Sequence, residues 1–162
     1  MVIILVAYHT FFMPFIAILI MRKLDLIASL NMDTHKERII PLIATIVFYV
    51  WGFLAIKKSG YPMIFTWFML GTVISILLAF VINVFTKISL HMIAIAGLLI
   101  YVTMLVLYAN PTINWWLPIA IIAVGLVATS RLFLKAHTPR QISLGIFVGV
   151  IAQVLALAYW FK

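Results

Sequence analysis

The 162-residue chain contains no cysteine, only three acidic residues, and charged side chains at just 9% of its positions. Without cysteine there can be no disulfide, thiolate metal site or cysteine nucleophile. The scarcity of charge excludes a water-facing surface, since soluble domains carry roughly one quarter charged residues. No Gly/Ser/Pro-rich linker or acidic tail separates a second unit, so residues 1–162 read as a single domain. Val2 to Met21 lacks the basic leader and small-residue cleavage site of a signal peptide and reads as a retained span. What is present is 67% hydrophobic residues and a net charge of +8. An integral membrane protein is expected. No polar basic domain or aromatic platform presents the positive charge to a base, so nucleic acid is excluded as partner. Anionic membrane lipid or a phosphorylated ligand remains.

A spanning helix needs about 20 mostly apolar residues. Six segments meet that length: Val2 to Met21, Ile39 to Ile56, Tyr61 to Phe85, Ile88 to Ala109, Trp115 to Leu134 and Pro139 to Phe161. The expected fold is therefore an all-α bundle of about six transmembrane helices. Of the connections, only residues 22–38 have room for a short interfacial helix. Tyr61, Tyr108, Trp115, Trp116 and Trp160 fall near span ends, where amphipathic rings prefer the headgroup layer. Gly145 and Gly149 form a small-xxx-small pair suited to close helix packing inside the bundle, and they also allow a homodimer.

Alternation of six spans sorts the charges. One face receives Arg22, Lys23, Lys36, Arg38, Lys87, Arg131, Lys135 and Arg140, eight of the eleven cations, with Asp25, Asp33 and Glu37; the other receives Lys57, Lys58 and Lys162. The positive-inside tendency would make the charged face cytoplasmic in a bacterial cytoplasmic membrane. If those cations bind substrate the tendency no longer applies, and the side carrying the site stays open.

The second, fourth and sixth spans begin on the charged face. Each helix N-terminus there is equivalent to about half a positive charge and favours anions. Thr34 with Glu37 fits a capping box before the second span, and Thr138-Pro139 fits an N-cap and first helical residue before the sixth. Lys87 and His91 are four apart, as are Arg131 and Lys135, and each pair would share a helix face. Single lysines here can be headgroup contacts that snorkel; the set suits a phosphate. His9, deep in the first span, reads as a buried imidazole bonded to a neighbour, and His35 as a solvated loop residue. His91, inside an apolar helix, is a functional candidate. His137 precedes a helix start among cations, where the neutral, nucleophilic imidazole is favoured. The acids all lie between Arg22 and Arg38 with no HExxH pattern, so neither a metal site nor a cofactor is expected.

The stretch SRLFLKAH, residues 130–137, resembles the third signature of the type 2 phosphatidic acid phosphatase superfamily, S-R-x5-H-x3-D. KISLH, residues 87–91, is similar to that family's second signature, P-S-G-H, in Ser89 and His91. The six-span layout and the placement of both motifs match as well, from the second span onward. The resemblance implies a metal-independent hydrolase of lipid phosphates or diphosphates. In it His137 attacks phosphorus to form a phosphohistidine, His91 protonates the leaving oxygen, and Arg131, Ser130 and Ser89 hold the nonbridging oxygens. Lys87 joins the phosphate-binding set. The first signature, K-x6-R-P, is absent, and Arg38 in K36-E-R38-I-I-P41 is its nearest remnant.

Three departures stand beside these matches. Gln141 occupies the position of the family's aspartate, and Ile88 and Leu90 replace the proline and glycine of the second signature. Two readings follow: a phosphatase with a modified catalytic set, in which Asp33, Glu37 or water substitutes for the acid, or a noncatalytic member that binds a lipid phosphate or a membrane partner. Retention of both histidines beside Ser130 and Arg131 leans toward the enzyme. A transporter is disfavoured, because Thr66, Asn83, Thr103 and Gln153 are too scattered to define a path.

Overall fold

The computed structural model describes the whole chain except residues 28, 30, 31, 33, 110, 161 and 162, together with the side chains of 109, 111 and 160. Six helices are long and apolar enough to cross a membrane, as the hydrophobic runs predict: α1 (Val2–Lys23), α2 (Ile39–Lys58), α3 (Met63–Phe85), α4 (Leu90–Tyr108), α5 (Trp116–Phe133) and α6 (Pro139–Trp160). Among the described residues there is no strand. The protein is an all-α integral membrane bundle.

Several helix ends differ from the sequence expectations by one or two residues, some with clear local causes. Pro62 has φ −48° and ψ 136°, an extended conformation, so α3 starts at Met63 rather than Tyr61. Thr86 and Ser89 are also extended, which delays α4 to Leu90. The described part of residues 24–38 forms turns and no interfacial helix. The hydroxyl of Thr34 donates to Glu37 Oε1 at 3.0 Å and accepts from the Glu37 amide at 3.4 Å. This pair closes a turn upstream of α2, whose N-cap is Arg38; Thr34 therefore does not cap the helix as the pattern suggests.

Helix α6 is the centre of the bundle. It packs most extensively on α4 and α3, while α2 leans on α3, α1 on α2, and α5 on α4. Gly145 and Gly149 make the α4–α6 contact. A Cβ on Gly145 would sit 2.8 Å from Ser89 O and 2.9 Å from Met92 Cβ, and one on Gly149 would strike Ile93 O and lie 3.0 Å from Gly97 N. The small-residue pair thus packs within the bundle. Between α3 and α4, the Gln153 side chain fills the space left by Gly71 and Gly97, while Trp67 Nε1 donates to Gln153 O at 3.1 Å.

On α1, Pro14 cannot donate to the carbonyl four residues back and its ring crowds it, and the helix widens into a π-type turn at Tyr8–Phe12 just before it. His9 in that turn is buried and donates from Nδ1 to Leu5 O at 2.9 Å, as its position in the span suggests. It rests against Gly52 of α2, where a Cβ would come within 2.7 Å of His9 Cβ. His35 is not merely solvated. Its Nδ1 donates to Asn83 O at 3.1 Å, and Asn83 Nδ2 donates to His35 O at 2.6 Å, which ties the α1–α2 connection to the end of α3.

Gly149→Val should lower the thermal unfolding midpoint of detergent-purified protein by several degrees, because overpacking against backbone costs about 1–3 kcal/mol. Gly125→Ala, whose Cβ meets nothing within 4 Å, should leave the midpoint unchanged or raise it slightly.

Candidate functional site

A cavity of about 540 Å³ lies where the starts of α2, α4 and α6 meet the end of α5. Arg38, Lys87, His91, Arg131, Lys135 and His137 all line it, with Ile18 of α1 and Pro41, Leu42, Thr45 and Leu90 below them. Among the described residues no acidic side chain is on its wall. Two residues of the expected set are elsewhere. Ser89 is fully buried off the wall and its Oγ has no hydrogen-bond partner; Ser130 is on α5 but not on the wall.

Each cation arrives by its own device. Arg38, at the N-cap of α2, donates from Nε to Met32 O at 3.0 Å and from a terminal nitrogen to Ile88 O at 3.2 Å. These bonds pin the guanidinium between the α1–α2 connection and the start of α4. Lys87 precedes its helix, so it does not share a helical face with His91; the extended segment from Thr86 to Ser89 brings it to the wall instead. Arg131 is in the last turn of α5, with Nε buried and unpartnered.

Lys135 lies beyond the end of α5 in the left-handed region, at φ 51°. The surrounding bonds are those of a Schellman end: Lys135 N–H to Leu132 O at 2.9 Å and Ala136 N–H to Arg131 O at 3.1 Å. Glycine is the usual residue there, and a lysine costs about 1 kcal/mol. The turn reverses the chain tightly enough that His137 comes back to the same cavity as Arg131. Arg131 and Lys135 thus meet through a helix stop rather than helical periodicity.

His137 is buried and held by Gln141. Its Nδ1 is 3.0 Å from Gln141 Oε1, which also accepts the Thr138 amide N–H at 3.3 Å, while the Gln141 amide donates to Thr138 Oγ1 at 3.4 Å. Thr138 and Gln141 form a capping box at the start of α6. The pattern T-P-R-Q at 138–141 could have revealed it in the sequence. A backbone N–H can only donate, so the oxygen of the Gln141 amide must face it. Nδ1, sharing that oxygen, must then carry the proton, which leaves Nε2 of the neutral ring with its lone pair.

Burial pushes the His137 imidazole below its ordinary value of 6.5; the bond to Gln141 opposes this, and the charges of Arg38 and Lys87, with His91 beside them, add to the lowering. Glu37, bonded to Thr34, is not on the wall and does not replace the missing acid, and Asp33 lies outside the described residues. No protein-family model, curated protein or solved structure matches the chain.

Because the shift is downward, the neutral ring persists to lower pH than in a free imidazole and charges only as pH falls further. Nuclear magnetic resonance on histidine-labelled protein should place the His137 midpoint below 6.5 and show it rising in Lys87→Met. An unmoved midpoint in that variant would remove Lys87 from the site.

Proposed function

We propose that the protein is a metal-independent phosphatase of lipid phosphates or diphosphates, acting through a phosphohistidine at His137 in the bacterial cytoplasmic membrane. The observation that carries this reading is the single cavity itself. Four cationic side chains, two histidines and no described acid share one wall, and one histidine is fixed in the Nδ1–H tautomer. The resemblance of residues 87–91 and 130–137 to the type 2 phosphatidic acid phosphatase signatures supports it.

In this mechanism Nε2 of His137 attacks phosphorus and the bond from phosphorus to the lipid oxygen breaks. His91 delivers a proton to that oxygen, and the lipid alcohol or monophosphate leaves. Water then attacks the phosphohistidine, with His91 accepting its proton, and inorganic phosphate is released. Arg131, Arg38, Lys87 and Lys135 offset the charge on the nonbridging oxygens; an arginine fork suits two of these oxygens at once. Ser89 and Ser130, away from the wall, are left without a direct role. Gln141 Oε1 orients His137 but supplies no full charge to stabilise the imidazolium that develops.

One observation favours a second reading, a noncatalytic binder of the same phosphate. Gln141 Oε1 is shared between His137 and the Thr138 amide, and the capping function alone accounts for it.

Purified wild type incubated with a lipid phosphate and a chelator should release inorganic phosphate, and His137→Ala should abolish the release. Absence of turnover over a panel of lipid phosphates and diphosphates would leave only binding. Gln141→Asp should raise kcat and move the acid limb of kcat/KM to higher pH, because a carboxylate stabilises the charged ring. The loss of about 10⁴ on the reverse change in a serine protease sets the upper scale of the gain.

A further inference from the structure

Beneath the cationic cavity is a second, partly open one, of about 300 Å³, lined by α1, α2, α3, α4 and α6. The two share Leu42, Thr45 and Leu90, so the lower one continues the upper one into the membrane. Its volume is at the low end for ligand pockets and suits one chain rather than two.

Four hydroxyls on its wall, which Ser75 also lines, share a common character. Thr10, Thr45 and Thr72 each donate their hydroxyl proton to a backbone carbonyl of their own helix at 2.8 Å, and the Tyr49 hydroxyl donates to Thr10 O at 3.3 Å. Their protons are committed, so these oxygens face the pocket as acceptors. Gln153, only 1% exposed, also lines the pocket, and its Oε1 meets no donor. Gln153 lies against Gly97, seven residues into α4, and therefore about 10 Å below the helix start. At that depth the surroundings are helix and lipid, and an unpaired buried amide beside a cavity is a contact for a ligand once it turns toward the pocket.

We propose that this pocket is a second binding site, which takes the hydroxyl-bearing portion of a single-chain lipid. The ligand's O–H donates to Thr45 at the border of the two cavities or, after rotation of the terminal amide, to Gln153 Oε1. Its apolar chain lies among Leu42, Ile76, Ile93 and Leu98. A hydrocarbon chain without a donor fills the same space but leaves the acceptors unpaired, and so binds less tightly. The extension to a phosphorylated ligand rests on the phosphate reading of the upper cavity; the hydroxyl preference itself does not.

The test uses detergent-solubilised full-length protein and four probes with one C18 chain: oleoylglycerol phosphate, its analogue with hydrogen in place of the free hydroxyl, and the same two molecules with hydrogen in place of the phosphate ester group. Affinity is read from ligand-dependent thermal stabilisation. The hydroxylated member of each pair should bind at least tenfold tighter to wild type. Gln153→Leu should bring that ratio near one while binding of the deoxy lipids persists. Should Gln153→Leu fail to fold, Thr45→Val provides the same reading, with a reduced ratio expected. Equal binding of hydroxylated and deoxy lipids by wild type overturns the proposal, and the phosphate reading survives if Arg131→Met weakens only the phosphorylated pair. A hydroxyl preference without any gain from phosphate upholds the pocket and overturns the phosphate reading. No binding by any probe overturns both.

Discussion

The site depends on how closely α4 and α6 can approach. The two helices start on the same membrane face and run side by side, with Gly145 beside Ser89, Gly149 beside Ile93 and Gln153 beside Gly97. In lipid, hydrophobicity does not hold helices together; tight packing and interhelical polar contacts do. The two glycines therefore set the depth of α6 against α4, and with it the level at which His137, just ahead of α6, stands relative to His91. A larger side chain at either glycine would move one histidine away from the other. The remaining helices contribute cations to a place already fixed by this contact.

Gathering Arg38, Lys87, Arg131 and Lys135 around one cavity is electrostatically costly, and backbone geometry helps to hold them there. Carbonyls of Met32 and Ile88 hold Arg38, and a left-handed lysine and a Schellman end hold the α5–α6 turn. None of these devices neutralises charge. A phosphate in the cavity would supply what the side chains lack, so the repulsion that weakens the empty site strengthens the occupied one. Burial first, and the neighbouring cations after it, lower the affinity of His137 for a proton: a ring that resists protonation keeps its lone pair for other chemistry.

Gln141 joins local structure to chemistry. As the third residue of α6 it completes a capping box with Thr138, and the same oxygen orients the His137 ring. An aspartate could perform both tasks and add charge. Glutamine supplies the geometry without the charge.

Composition and periodicity alone determined the six spans, the grouping of cations on one face and the candidate histidines, because membrane insertion depends on local hydropathy and helix length. The site was legible in part: Arg38, Lys87, His91, Arg131 and His137 do share one cavity. The reasons were not all legible. Helical spacing was expected to align Lys87 with His91 and Arg131 with Lys135, but extended backbone at 86–89 and the left-handed turn at Lys135 bring them together. Ser89 and Ser130 match a signature and yet are off the wall, since a motif specifies order along the chain and not the direction in which each side chain points. Gln153 looked like one of several scattered polar residues; only the approach of α3, α4 and α6 makes it an orphan acceptor beside a pocket. Hydropathy is a property of each segment by itself, whereas the direction each polar atom faces is decided by which helix lies against it.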